Sequence, residues 1–568
     1  MFTTHEARRR QGTQGRKSSN KNPEDDQRRV VYLAATENPL QDASVMCEDP
    51  FDSLPVKSFP GMHELVEYYF DAYPGVMAMT DDLWLKKKDK AGNAVGRRNN
   101  TVWDTMSSEE TPFLVLLAEM SRFLDTANPH AKWRKCHFLL RERALRSIRE
   151  GLTQTATEPW KISDGYITAV AGMQGAATIF GEKKAAISHL AGMRELVRLR
   201  GGIDTFQGIP RRIIIWCEFY VCAAHHLLPT IAPIPPAPSS PVVDDDQDDD
   251  TSPFPAAFRS LVSLTHARTL SRLPQHWLHH DDYNHHGSRS RSSSSSSNAT
   301  VFPLVRILHA LHLVSTAKSA AWAPDLMPPG PSRDAVTSVL DDAGHSLLVQ
   351  LALSEDESGV VQVQGEGEDD GEGRREGGVV EHEEQWRDGG ENGENAEDRW
   401  LRVVLLHAAH VYLWATLSHI PPGAQMNVLF LERLRRALDL EDGDEGGEEF
   451  VGGSRSGGGV SVRAALARCG GEAGPGLMWA LAVGWYLADK IWIMAQSGKD
   501  QVRMAARGGM MLGWFEDRIA ELLEAFGVGE EGGTELAARV VADFPGTDEF
   551  RRGWHCLLLQ QRFRGLHY

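Results

Sequence analysis

Histidines, cysteines, carboxylates and a few dense basic runs are the side chains here with chemical potential, and spacing decides what each can do. His407 and His410 stand at i, i+3, which on a helix puts two imidazoles on one face, as in a metal pair. No HExxH accompanies them, so they read as core or surface histidines. His276, His279, His280, His285 and His286 crowd eleven residues beside the serine-rich run 288–297. No acid or thiol stands at ligand spacing on a rigid predicted element, so a structural metal site is not expected there. Cys47, Cys136, Cys217, Cys222, Cys469 and Cys556 form no CxxC and match a reducing compartment, not a disulfide framework. There is no GxSxG and no glycine-rich phosphate loop between a strand and a helix. The clustered carboxylates lie in acidic runs, where no desolvation tunes a pKa for proton transfer. No catalytic, cofactor-binding or metal-binding residue is therefore named, and an enzyme is not expected.

The basic runs point to a different chemistry. Residues 1–29 carry eight Lys or Arg against four acids. Arg8, Arg9, Arg10, Arg16 and Lys17 are dense enough to serve nuclear import or loose phosphate contact; the alternative is a solvated tail. The run 86–98, KKKDKAGNAVGRR, reads as a charged surface loop with import as its alternative. Arg134, Lys135, Arg141, Arg143, Arg146 and Arg149 share one predicted helix, as a phosphate-contacting or simply solvated face.

The formal charge of −18 misleads about the folded part. Residues 355–398 are net −14, and 244–250 and 441–449 are each net −6, so the remainder sums to +8. The acidity sits in stretches too polar to fold alone. No secretory signal is expected, because Met1-Phe2 leads straight into polar and basic residues. The apolar run 476–488 is followed by Asp489-Lys490 and reads as too short for a membrane span.

Positioning falls to helices alone. Helical periodicity appears over 60–73, 111–124, 133–148, 163–206, 209–226, 260–273, 301–321 and 332–353. It resumes over 400–418, 424–438, 462–469, 476–496, 501–526, 534–544 and 550–563. No long alternating strand pattern occurs. The expected fold is all-α: a multi-helix bundle or solenoid-like body over 49–568, behind a basic, disordered tail at 1–48. Disordered acidic, Pro-rich and Ser-rich insertions are expected at about 229–259, 274–300, 354–398 and 440–460.

One stretch organises the body. In SDGYITAVAGMQGAATIFGEKKAAISHLAGMRELVRLRGGIDTF, residues 163–206, the spacing predicts two helices. Ser163 or Asp164 caps the first and Gly181 ends it; Ile187, Leu190, Met193, Leu196 and Val197 stripe the second, which Gly201-Gly202 stops. The order Ser163-Asp164, Gly181, Ala186, His189-Leu190, Gly192-Met193, Arg200-Gly201-Gly202 resembles the fungal-specific transcription factor domain, in the branch often found behind a zinc cluster. Asp49-Pro50-Phe51 with Leu54-Pro55, and Trp216 followed by Glu218, fit the same family.

The resemblance implies an α-helical regulatory and dimerisation domain in the nucleus, with protein partners or a second copy and a groove for a small effector or partner helix. It departs from the pattern in lacking the six closely spaced cysteines of the zinc cluster. Direct DNA reading is accordingly not expected of this chain, nor is a membrane role. The other reading left open is a cytoplasmic helical interaction scaffold.

Overall fold

The computed structural model describes residues 54–71, 101–154, 161–231, 233, 254–277, 296–319, 333–356, 396–418, 420, 422, 424–439, 473–497, 502–526 and 533–565. By internal contacts the chain divides into two units, one of 1–53 with 57–64 and one of 54–56 with 65–568. Of the first unit, only 57–64 are among the described residues. Apart from the first three residues of the first helix, 62–64, everything below concerns the second.

Sixteen α-helices and no strand are present among the described residues. In chain order they are α1 Met62–Asp71, α2 Thr101–Met106, α3 Glu110–Ala127, α4 Ala131–Gln154, α5 Asp164–Ile179, α6 Lys183–Arg200, α7 Gly208–His225 and α8 Ala256–Leu270. There follow α9 Ser296–Ala317, α10 Arg333–Asp356, α11 Ala396–Val411, α12 Gln425–Leu438, α13 Gly474–Ser497, α14 Val502–Ala525, α15 Gly533–Ala542 and α16 Asp548–Gly565. The all-α expectation holds.

Local rules shape the 163–206 hairpin. Ser163 is the N-cap of α5, its Oγ accepting from the Tyr166 N–H at 3.2 Å. At its other end the Glu182 N–H donates to Ala177 O and the Gly181 N–H to Thr178 O, with Gly181 at φ +75°. The same paired bonds close α6, from Gly202 to Val197 O and from Gly201 to Arg198 O, with Gly201 at φ +105°. These are Schellman closures, and the left-handed residue each needs is met without strain by glycine.

Almost all of α5 is buried. It packs against α3, α6 and α7, while α3 packs on α4. Helix α7 is buried nearly all round from Ile213 to Ala224, which its unbroken apolar run foretells. Beyond it, α9 packs on α8 and α10, α11 on α12 and α13, and α13 on α14. Tyr412 lies 6.1 Å from Trp479 and edge-on to Phe550 at 5.8 Å, joining α13, the segment after α11 and α16 into one core, and Trp479 also stacks on Phe544 at 5.4 Å.

Several sequence expectations need correction. Ile187 is 38% exposed, so the buried stripe of α6 runs through Ala186, Leu190, Met193, Leu196 and Val197 instead. Helix α2 was not expected; Trp103 in it packs edge-on to Phe113 at 5.6 Å, a tertiary contact that stabilises a short helix weak in isolation. The backbone after α11 widens into a short π-helix, Tyr412–Leu417, for which the sequence carries no periodicity signal.

Order also extends into the edges of three expected insertions. Helix α8 begins at Ala256, anchored by Phe254 stacked on Phe258, both buried; Trp277 is buried beyond 274; and α9 starts at Ser296. Helix α10 runs to Asp356 and α11 starts at Ala396, trimming the acidic insertion at both ends. The expected helix 462–469, the loop 86–98 and the insertion 440–460 lie outside the described residues.

Two stretches, Glu397–Leu417 and Gly474–Gln496, are long and apolar enough by composition to cross a membrane, which corrects the expectation that the second is too short. Of their apolar windows 78% and 72% are buried inside the fold, which is how core helices look.

Candidate functional site

The residues carrying the family resemblance do not form one site; the fold divides them between the two ends of the hairpin. At the open end, Arg200 Nη1 donates to Ile162 O at 2.5 Å and Nη2 to Asp164 Oδ1 at 2.9 Å. Ser163 Oγ donates to Glu109 Oε2, at the start of α3, at 2.8 Å. Gly201 and Gly202 turn the chain directly after Arg200. Ser163, Asp164, Arg200, Gly201 and Gly202 are therefore one clasp, in which the end of α6 holds the beginning of α5. At the other end, Gly181 turns the chain against the Gln425 side chain of α12. Leu190 is core, and Gly192 is exposed with nothing within 4 Å of where a Cβ would stand. The monomer therefore needs no glycine at that position.

Trp216 is buried in α7, its Nε1–H donating to Asp341 Oδ1 of α10 at 2.8 Å. Burial raises the Asp341 carboxyl to about 7. Glu218, one turn-half further on, is fully buried and fully satisfied. It accepts from Arg194 Nη2 at 2.6 Å, from Thr230 N–H and Oγ1–H at 3.0 and 2.7 Å, and from Ile231 N–H at 3.0 Å. Arg194 also donates to Leu228 O at 3.2 Å. The pair thus straps 228–231 across the end of α7.

The remaining candidates disperse. Arg8, Arg9, Arg10, Arg16 and Lys17 lie outside the described residues. The basic face of α4 is largely offset by acids: Arg134 pairs with Asp125, Arg143 with Glu110 and Arg146 with Glu142. His407 and His410 are both buried, and His410 lies edge-on to Phe430 at 4.4 Å. No group of three metal-capable side chains exists among the described residues.

The most chemically distinctive place is one that sequence reading missed. A cavity of about 30 Å³ opens between α3, α4 and α5, and Glu119 and His137 line it. Glu119 is buried, its Oε1 without a hydrogen-bond partner, and desolvation raises its carboxyl to about 8. His137 Nδ1 lies 3.0 Å from Ala118 O; a carbonyl only accepts, so this nitrogen carries the proton and Nε2, which has no partner, offers a lone pair. Burial first, then the Arg122 and Arg141 charges, lower the His137 pKa. At the rim Glu182 is shared by two guanidiniums, Arg122 at 2.7 Å and Arg141 at 3.2 Å. His189 stands half-buried beside them, its pKa lowered by burial and Arg141. Gly172 lies against the Glu119 carboxyl: a Cβ there would stand 3.2 Å from Glu119 Oε1. The signal was available, because Glu119 is the one acid inside the apolar run FLVLLAEMSRFL.

A second histidine group carries pH dependence. His266 of α8 meets His309 and His312 of α9, with ring centroids 4.9 and 5.9 Å apart. Burial, then His309, lowers the His266 pKa to about 3 from 6.5. Between those values the unfolded chain binds more protons, so stability falls as pH falls. From pH 7 to pH 5 His266 alone should cost about 2 kcal/mol. His266→Gln, which cannot titrate, should lose correspondingly less over that range in urea melts; equal losses in both proteins would refute this assignment.

The chain matches no family model, and no curated protein or solved structure is significantly similar to it.

Proposed function

We propose that this chain is a transcription-regulator-like nuclear protein whose helical body is a regulatory and dimerisation domain without a zinc-cluster DNA-binding module of its own. The observation that supports the reading is the clasp: five of the residues on which the family resemblance rests, Ser163, Asp164, Arg200, Gly201 and Gly202, act together at the open end of the hairpin, on the edge of an all-helical core. In this reading the work is contact, made through buried and exposed helix faces, and involves no bond chemistry. Arg8, Arg9, Arg10, Arg16 and Lys17 direct import, and the partner is a second copy or another protein.

The test is localisation of the tagged full chain beside a variant with all five basic residues changed to Ala. The wild type should concentrate in the nucleus and the variant should not. Wild-type protein that stays cytoplasmic sinks the nuclear reading and leaves a helical interaction scaffold. Light scattering on the purified chain then separates homodimer from monomer.

A further inference from the structure

The geometry points to the α3–α4–α5 cavity as a binding site for a small planar monoanion that carries its own O–H, of the bicarbonate class. Nothing in this depends on the proposed nuclear role. Three observations carry it. Size comes first: about 30 Å³ exceeds the room one water needs and suits a small ion of a few atoms.

Charge comes second. Arg122 and Arg141 share the single carboxylate Glu182, which leaves one positive charge in excess at the rim. Within the cavity Glu119 and His137 add no charge near neutral pH, since burial raises the one pKa and lowers the other. A monoanion balances that excess, and a cation is repelled.

Hydrogen-bonding capacity comes third and is the most selective. Buried Glu119, as a carboxylic acid, donates a proton. The guanidiniums donate too. His137 Nε2, with its ring proton committed to Ala118 O, can only accept. The complementary ligand therefore has at least two acceptor oxygens and one O–H. Bicarbonate has that inventory: its hydroxyl donates to His137 Nε2, and its carboxylate oxygens accept from Glu119 and the arginine rim. Nitrate is equally flat and equally charged but brings no proton, so it leaves His137 Nε2 unpaired, and a buried unpaired acceptor is where discrimination arises.

Other groups near Glu119 bear on the pH dependence. Cys217 of α7 is close enough to interact with it but stays a neutral thiol, its pKa raised by burial. His189 of α6 and Glu182 beyond α5 lie at the rim with Arg141. Bicarbonate affinity should therefore fall above pH about 8, as Glu119 ionises.

The experiment is isothermal titration of the purified full chain with sodium bicarbonate, sodium nitrate and sodium chloride at matched ionic strength in closed cells. Saturable bicarbonate binding at least about tenfold tighter than nitrate is expected, with chloride weaker still; tenfold corresponds to one good hydrogen bond. Glu119→Gln keeps an N–H donor and should bind bicarbonate without the alkaline loss. His137→Leu removes the acceptor altogether and should bring bicarbonate down to the nitrate level. No saturable binding by the wild type means the cavity takes water only, and equal bicarbonate and nitrate affinities mean an adventitious ion at the arginine rim. Either result overturns the proposal, as does a Glu119→Gln protein that is folded by circular dichroism yet has lost bicarbonate binding.

Discussion

Arg194→Met should destabilise the folded chain by about 3–5 kcal/mol, the usual penalty for removing one partner of a buried ion pair. Glu218 is fully buried, and Arg194 is the cation that compensates it. The backbone N–H groups of Thr230 and Ile231 would still donate to the carboxylate, but their dipoles do not replace a full charge. The loss should appear as a lower urea midpoint and as faster amide exchange in 228–231, because Arg194 also holds Leu228 O. Adding Glu218→Gln to that variant removes the stranded charge and should recover part of the loss. A double variant no more stable than Arg194→Met would show that the charge was not the cause.

The second large effect lies at the α13–α14 crossing. Phe515 is fully buried, and its ring fills the space that a side chain at Gly484 would otherwise occupy. Phe515→Ala should cost about 3–5 kcal/mol through lost burial and the cavity left behind. Gly484→Ala in the wild-type background should cost about 1–3 kcal/mol, since the new methyl meets the ring in a packed core. In the Phe515→Ala background the clash is gone. The same Gly484→Ala change should then be neutral, or stabilising by up to about 1 kcal/mol from helix propensity. Strict additivity of the two substitutions in denaturant melts would refute this coupling.

Both effects show where local code ends. The hairpin at 163–206 was legible because each instruction in it is short-range. Ser163 bonds three residues ahead, and Gly181, Gly201 and Gly202 take the left-handed turns that end helices. The 3.6-residue stripe of α6 was legible as well, apart from Ile187, which the actual rotation of the helix leaves exposed. Nothing within a window of that size relates Gly484 to Phe515, or Trp216 to Asp341, whose hydrogen bond spans 125 residues.

The candidate cavity divides in the same way. Its one visible sign was a carboxylate in an apolar run, and from the run alone Glu119 has no assigned partner. Its environment is set by the crossing of α4 and α5 over α3, which brings His137 from eighteen residues away and sets Gly172 against the carboxyl. Arg122, Arg141 and Glu182 looked like ordinary surface charges, and folding made them a two-to-one cluster at its rim.

That this chain is helical, where most helices start and stop, and which faces turn inward can all be read locally, because capping and periodicity are written within a few residues of where they act. Which charges become buried, and which of those find partners, emerges only from the packed fold. Desolvation and ion pairing depend on which helices cross, and that is settled by packing across the whole body.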